Sequence, residues 1–553
     1  MRRFLLAQAM MALAISLVAQ TSTGKTGEPS DALCLVAGRV VTAAEGHPLK
    51  SATVVLVPDS RSDHHAYAGS SDSEGHFLVR DVPPGRYQFF AIHPGFVDQG
   101  YQSPEPEGGA LLSLKPGQKV NDALFRMTAA AVIAGVVNSD DGDAMVRMQV
   151  LALRRRSPEE MEEEENPFLR KQKLTPVASA HTDDRGEYRI FGLKPDEYYI
   201  LVTQSVESDS GMLAGNNYWV AEQLGSEYAP EYYPGVMQLS QAQAVSVNAG
   251  DDVRADFSVQ RIKLVEVGGQ IMGLNGPAKN AWVVLFEPDE ELFASIHQTE
   301  ADETGRFRLK GIPPGSYRFV AVEPHGDTAT GRTRQTVEVG GENIESLIIS
   351  LAGGTGFSGR VSVAGAGSVA FDELRVSLLS VDEDDLAGGE GHVKKDGTFE
   401  ITAVPEGDYA VRLQGLEHDW YVKSVRLGSN DILEKGLQLE KGAAGGKLEV
   451  VVSAASAQLE GSVTDGDRVM MGAHVRITPH PETPYNRGRS HNAATDQTGR
   501  FSVTGLAPGK YRVIARSARV PGSEPLKSDP QIVTLSESDH KTLHLAIAKP
   551  QTQ

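Results

Sequence analysis

One cysteine, Cys34, stands in 553 residues, so the chain has no intramolecular disulfide and no cysteine-built metal centre open to it. Its stability has to come from hydrophobic cores. Aromatic residues make up only 6% of the sequence, and beyond the first twenty residues no uncharged apolar run reaches bilayer-spanning length. Positive charge is also scarce. With 53 Lys and Arg against 73 Asp and Glu the net charge is −20, which argues against nucleic acid and anionic membrane surfaces as partners, because both reward basic patches. Sustained helical periodicity is missing from the mature chain, whereas 57 glycines and 29 prolines suit many short strands joined by turns. No G-x-S-x-G elbow and no G-x-x-x-x-G-K-[ST] loop occurs.

What the chain does have is one pattern repeated five times: a glycine, an aromatic two residues later, a turn at ten and a tyrosine at twelve. The copies are Gly75/Phe77/Gly85/Tyr87, Gly186/Tyr188/Asp196/Tyr198, Gly305/Phe307/Gly315/Tyr317, Gly397/Phe399/Gly407/Tyr409 and Gly499/Phe501/Gly509/Tyr511. In the third copy Asp302 is placed to hydrogen-bond the turn backbone, and Gly305 to adopt positive φ. Phe307 and Leu309 then share one face of the outgoing strand, because side chains alternate with period two. Pro313, Pro314 and Gly315 end that strand, and Tyr317, Phe319 and Ala321 begin another. Upstream of each hairpin a glycine precedes a β-branched strand: Gly38, Gly135, Gly269, Gly359 and Gly461. The intervals to the hairpin glycine are 37, 51, 36, 38 and 38 residues, so the second copy carries an insertion.

Successive hairpin glycines lie 111, 119, 92 and 102 residues apart, the size of small independent β-sandwiches rather than of solenoid repeats. Modules of about 100 residues bury enough surface to fold alone. The combination of a strand glycine, Asp-x-x-Gly-x-Phe and Pro-Pro-Gly-x-Tyr resembles the carboxypeptidase regulatory-like domain. That resemblance covers roughly residues 32 to 549 and implies a transthyretin-like seven-stranded β-sandwich, also grouped with the carbohydrate-binding-like fold. The second module departs with Asp196 in place of the turn glycine. The fourth has Lys394 in place of the turn aspartate and Glu406 in place of a turn proline. The expected organisation is all-β: a signal peptide at 1–20, a linker at 21–31, and five sandwiches at 32–128, 129–260, 261–352, 353–453 and 454–549. Short linkers near residues 129, 261, 353 and 454 predict semi-rigid beads with limited hinge motion.

In zinc carboxypeptidases, the resemblance implies, this sandwich is an appendage to a catalytic domain that nothing in this chain resembles. The one H-x-x-E, His297-Gln-Thr-Glu300, lies on a strand where residues three apart point to opposite faces, which defeats a metal site and predicts an exposed strand. Gly354-Thr-Gly356-Phe-Ser-Gly359 precedes a strand rather than joining a strand to a helix, so it reads as an inter-module linker. The hairpin aspartates Asp72, Asp183, Asp302 and Asp496 each offer too few oxygens for calcium and read as turn caps. Asn138-Ser-Asp140-Asp141-Gly142-Asp143 is the one acidic turn dense enough to keep calcium open. No catalytic residue, metal or cofactor is assigned, and an enzyme is not expected.

Arg2 and Arg3 precede an uncharged run from Phe4 to about Gln20, with Ala19 at the cleavage position, which predicts export to the periplasm or the exterior. The insertion Arg154-Arg-Arg156-Ser-Pro-Glu159-Glu-Met-Glu162-Glu-Glu-Glu165 reads as a solvated loop or short frayed helix, expected to be mobile, with a charge-based partner dock as the alternative. The candidate binding residues are Tyr218, Trp219, Tyr228, Tyr232 and Tyr233. If exposed they stack on sugar rings or anchor a peptide; if buried they close the end of the sandwich. Two functions follow: a non-catalytic cell-envelope scaffold or protein-interaction array, and, as the alternative, a glycan-binding protein.

Overall fold

The computed structural model describes residues 33–59, 65–102, 109–164, 170–204, 228–287, 297–325, 328–382, 388–518 and 525–548. Residues 1–32, where a signal peptide and linker are expected, and the segment holding Tyr218 and Trp219 lie outside the described residues. What is described is almost entirely β. Five hydrophobic clusters draw on residues 34–127, 131–259, 265–351, 357–452 and 457–547, each taking side chains from two sheets. We number the units after these cores.

Unit 1 sets the topology. Cys34–Thr42 pairs antiparallel with His76–Val82 and parallel with Lys119–Met127. The second sheet runs Tyr67–Ser70, Thr53–Pro58, Gly85–Ile92, with Leu112–Leu114 also on Gly85–Ile92. The parallel pairing of first and last strands recurs in every unit: Ala131–Ser139 with Phe257–Val259, Val265–Gly273 with Ile344–Ser350, Thr355–Ala364 with Gly446–Ser453, and Ala457–Asp465 with His540–Ala548. In unit 5 the two-residue strand Lys527–Ser528 bonds to both sheets and joins them.

Register explains the repeated glycine and aromatic. Gly38, Gly135, Gly269, Gly359 and Gly461 sit directly opposite Phe77, Tyr188, Phe307, Phe399 and Phe501. A Cβ on Gly38 would stand 1.9 Å from the Ala123 carbonyl oxygen and 2.8 Å from the Phe77 ring. On Gly359 it would stand 2.2 Å from the Phe399 ring. The missing side chain lets the ring and the parallel strand close over the same backbone. Two positions nearly forty residues apart are therefore one contact.

Two expectations are corrected here, and a third reading is narrowed. The segment beginning Gly354 is not an inter-module linker from end to end, because Thr355 already opens the first strand of unit 4. His297 is not exposed: it is 3% accessible and packs edge-on to Tyr317 at 6.2 Å in the core of unit 3. It pairs with Leu285, a core residue, and so shares that strand position's inward face. The acidic insertion of unit 2 takes the short-helix form over Pro158–Glu163. Ser157 and Glu160 form a reciprocal capping box at the start of the helix Pro158–Glu163, with Glu160 N donating to Ser157 Oγ at 3.2 Å and Ser157 N to Glu160 Oε2 at 2.7 Å. The Arg154 guanidinium grips the same Glu160 carboxylate through two hydrogen bonds of 3.0 and 2.6 Å.

Candidate interaction surfaces

The residues that repeat are used up by the fold. Each post-turn tyrosine donates its hydroxyl to the carbonyl four residues earlier: Tyr87 to Pro83 at 2.7 Å, Tyr198 to Lys194 at 2.8 Å, Tyr317 to Pro313 at 2.9 Å, Tyr409 to Pro405 at 3.1 Å and Tyr511 to Ala507 at 2.9 Å. The ring is buried and its one polar atom is satisfied locally. The hairpin aspartates accept backbone hydrogen bonds from residues two and four ahead. For Asp72 these come from Glu74 N at 2.8 Å and His76 N at 2.9 Å, and for Asp302 from Thr304 N at 2.7 Å and Arg306 N at 2.9 Å. Those bonds favour the charged form and hold the Asp72 carboxyl below its ordinary range; at Asp302 the hydroxyl of Thr304 contributes most. Where unit 4 has Lys394, Asp396 takes over, accepting from Thr398 N at 3.0 Å while the backbone turn is kept.

A further repeated position was not read from the sequence. Five residues into each outgoing strand the backbone turns left-handed, at Asp81, Gly192, Gly311, Ala403 and Gly505, with φ of 56°, 79°, 71°, 52° and 75°. A register shift lies beside each one. The three aligned glycines were the available signal, and the two non-glycines hid it.

Of the five candidate binding aromatics, Tyr228 and Tyr232 are buried, and Tyr233 is half-buried against Phe257 with ring centroids 5.7 Å apart. The Tyr228 hydroxyl accepts from Arg261 Nε at 2.9 Å. Tyr232 joins Leu151, Leu153, Leu174 and Leu201 in a second cluster on the outer face of the larger sheet of unit 2. That cluster explains why every residue from Met148 to Leu153 is buried: the strand is covered on both faces. Beside it Glu231 is 2% accessible, accepts from Gln260 N at 2.8 Å through Oε1, and has no hydrogen-bond partner for Oε2. Burial pushes its carboxyl up. The acidic turn at 138–143 closes on its own backbone, and Asp141 lies 3.5 Å from Arg261. Among the described residues no group of three or more His, Cys, Asp or Glu is placed to hold a metal ion.

The contacts between units distant in sequence belong to unit 5. Its signature turn docks on unit 1, where the Gln497 side chain accepts from Ser113 N at 2.9 Å and donates to Ser113 O at 2.8 Å, like a strand neighbour. Gln497 N donates to Leu111 O at 3.2 Å, and Met471 packs against the unit 1 core. On unit 2, Lys527 pairs with Glu159 at 2.8 Å and Arg476 reaches Glu162 O at 3.4 Å. On unit 4, Arg412 donates to Tyr485 O at 2.9 Å, the Tyr485 ring covers Gly436, and Lys423 meets Glu537 at 2.6 Å. Unit 5 thus folds back on the beginning of the chain instead of ending a row of beads.

The carboxypeptidase regulatory-like domain matches residues 36–117 and 458–547, within units 1 and 5. No curated protein matches the chain. Among solved structures it is similar to the TIE protein of Bacillus anthracis, at 14% identity over 58% of this chain and 51% of that one, TM-score 0.15. The chain thus spans about half the length of that protein. It is also similar to a streptococcal ancillary pilin, at 12% identity over 57% and 98% of the two chains, TM-score 0.20. A minor pilin of Streptococcus agalactiae follows at 14% identity over 40% and 94%, TM-score 0.19. No helix among the described residues is long and apolar enough to cross a membrane.

Proposed function

We propose that this chain is an exported, non-catalytic array of five β-sandwich modules, at 32–128, 129–260, 261–352, 353–453 and 454–549, that serves in the cell envelope as a scaffold or protein-interaction partner. The observation that supports it most is the use of the repeated polar side chains. Tyrosine hydroxyls and turn carboxylates, the groups most available for chemistry, are spent on carbonyls and amides within a few residues of themselves. What differs between units is instead invested in contacts from one unit to another. Glycan binding through the unit 2 aromatics is not favoured by the three rings described, since two are buried and the third is half-buried.

The test is a glycan-array screen of the exported chain beside a Trp219→Ala variant, together with site-specific photo-crosslinking in cells from the exposed Phe191, which is 74% accessible. The scaffold reading expects no glycan signal and a reproducible crosslink to one envelope protein. Glycan binding lost in Trp219→Ala would replace it with the carbohydrate reading, and chelator-sensitive peptidase turnover by the pure protein would overturn both.

A further inference from the structure

The contacts of unit 5 divide the chain into two halves. Units 1 and 2 are joined closely: Ala130 N donates to Gly95 O at 3.0 Å, and Phe96 bridges to Ala129. Unit 4 holds unit 5 through Arg412, Lys423 and the Gly436/Tyr485 contact, and Arg334 of unit 3 lies 3.8 Å from Asp382 of unit 4. Between the halves the backbone passes through residues 260–264, which hold no strand or helix and a single bridge, Arg261 to Tyr228. The halves meet again where unit 5 clasps Ser113 and Leu111 of unit 1 and Glu159 and Glu162 of unit 2. The molecule is a closed loop with a short hinge on one side and a mostly polar clasp on the other.

We propose that this clasp is an interface between copies of the chain as well as within one: with the hinge extended, unit 5 of one copy clasps units 1 and 2 of a second, and the reverse, giving a swapped dimer. Every clasp contact is remade across the dimer, so only hinge geometry and the cost of association separate the two forms. Both surfaces are already complementary. The Gln497 amide supplies one donor and one acceptor to Ser113, and the acidic helix faces Arg476, Arg516 and Lys527, with Glu159, Glu160 and Glu162 all acting on Arg516. This inference does not rest on the scaffold reading, since a glycan-binding array would carry the same clasp.

Deleting Ile262 and Lys263 shortens the hinge and is expected to penalise the closed monomer, whose two ends must meet, more than the extended form. In size-exclusion chromatography with light scattering, the full exported chain carrying that deletion is expected to double in mass. Adding Gln497→Ala and Lys527→Glu to it is expected to return the mass to one chain with an enlarged radius. A deletion variant that stays a monomer of unchanged radius overturns the proposal, as does a dimer that survives the two clasp substitutions. Should the deletion variant lack a cooperative melting transition, the unaltered chain decides: its dimer fraction rises with concentration and falls with the two clasp substitutions, and a monomer at every concentration overturns the inference.

Discussion

At the scale of single residues, stability is concentrated in a few repeated contacts. Tyr87→Phe removes the hydroxyl and leaves the Pro83 carbonyl to solvent or unpaired, so the unit 1 transition is expected to lose about 1 kcal/mol in denaturant unfolding with the fold unchanged. Ala403 is strained where its counterparts Gly192, Gly311 and Gly505 are not. Ala403→Gly is expected to stabilise unit 4 by about 0.5–1 kcal/mol, read as a higher midpoint for that unit alone. His297 sets an acid limit on unit 3. Its two ring nitrogens are buried without hydrogen-bond partners, and burial lowers its pKa to about 4 from 6.5. Down to about pH 4 the folded state keeps the ring neutral while the unfolded chain protonates it below 6.5, so stability is full above pH 6.5 and falls as the pH drops toward 4, by up to about 3 kcal/mol. His297→Phe is expected to flatten that dependence in melts at pH 4 and pH 7; a slope equal to that of the unaltered chain would show that His297 does not cause it.

At the scale of elements, hairpin chemistry was legible because it is local. An aspartate, a glycine and an aromatic within six residues define a turn whatever lies around them, and Asp396 shows that the geometry tolerates a relocated carboxylate. The insertion was legible as a loop or short helix but its docking was not, because Arg154-Arg-Arg156 and the following glutamates look the same solvated or docked. The capping box Ser157/Glu160 was the signal that it starts a helix, and its partner Lys527 lies hundreds of residues away. Ser157→Ala is expected to weaken the helix by about 1 kcal/mol. Lys527→Glu is expected to free it from unit 5, and limited proteolysis within 156–164 should quicken in both variants, more at low salt for the charge reversal because a like-charge pair is then least screened.

At the scale of the whole molecule, five cores in sequence order are what a hundred-residue repeat requires, since each unit buries its own apolar faces. The path of the array is another matter. Expected as a row of beads, the chain returns on itself through Gln497, Lys527 and Met471, residues whose types carry no mark of their partners. A salt titration followed by small-angle scattering is expected to enlarge the radius, because the Lys527–Glu159 contact is ionic and partly exposed; a radius independent of salt would place the closing energy in the Gln497 and Met471 contacts. The sequence by itself determined the all-β class, the repeat and its turns, because strand alternation, positive φ at Gly75 or Gly305 and local hydrogen bonds are properties of a few neighbouring residues. Only the tertiary structure decided that His297 is buried, that Tyr228, Tyr232 and Tyr233 are covered on different faces and to different depths, and that the last unit holds the first two. Those outcomes depend on surfaces brought together from distant parts of the chain, where many sequences offer the same residues and only the packed geometry selects among them.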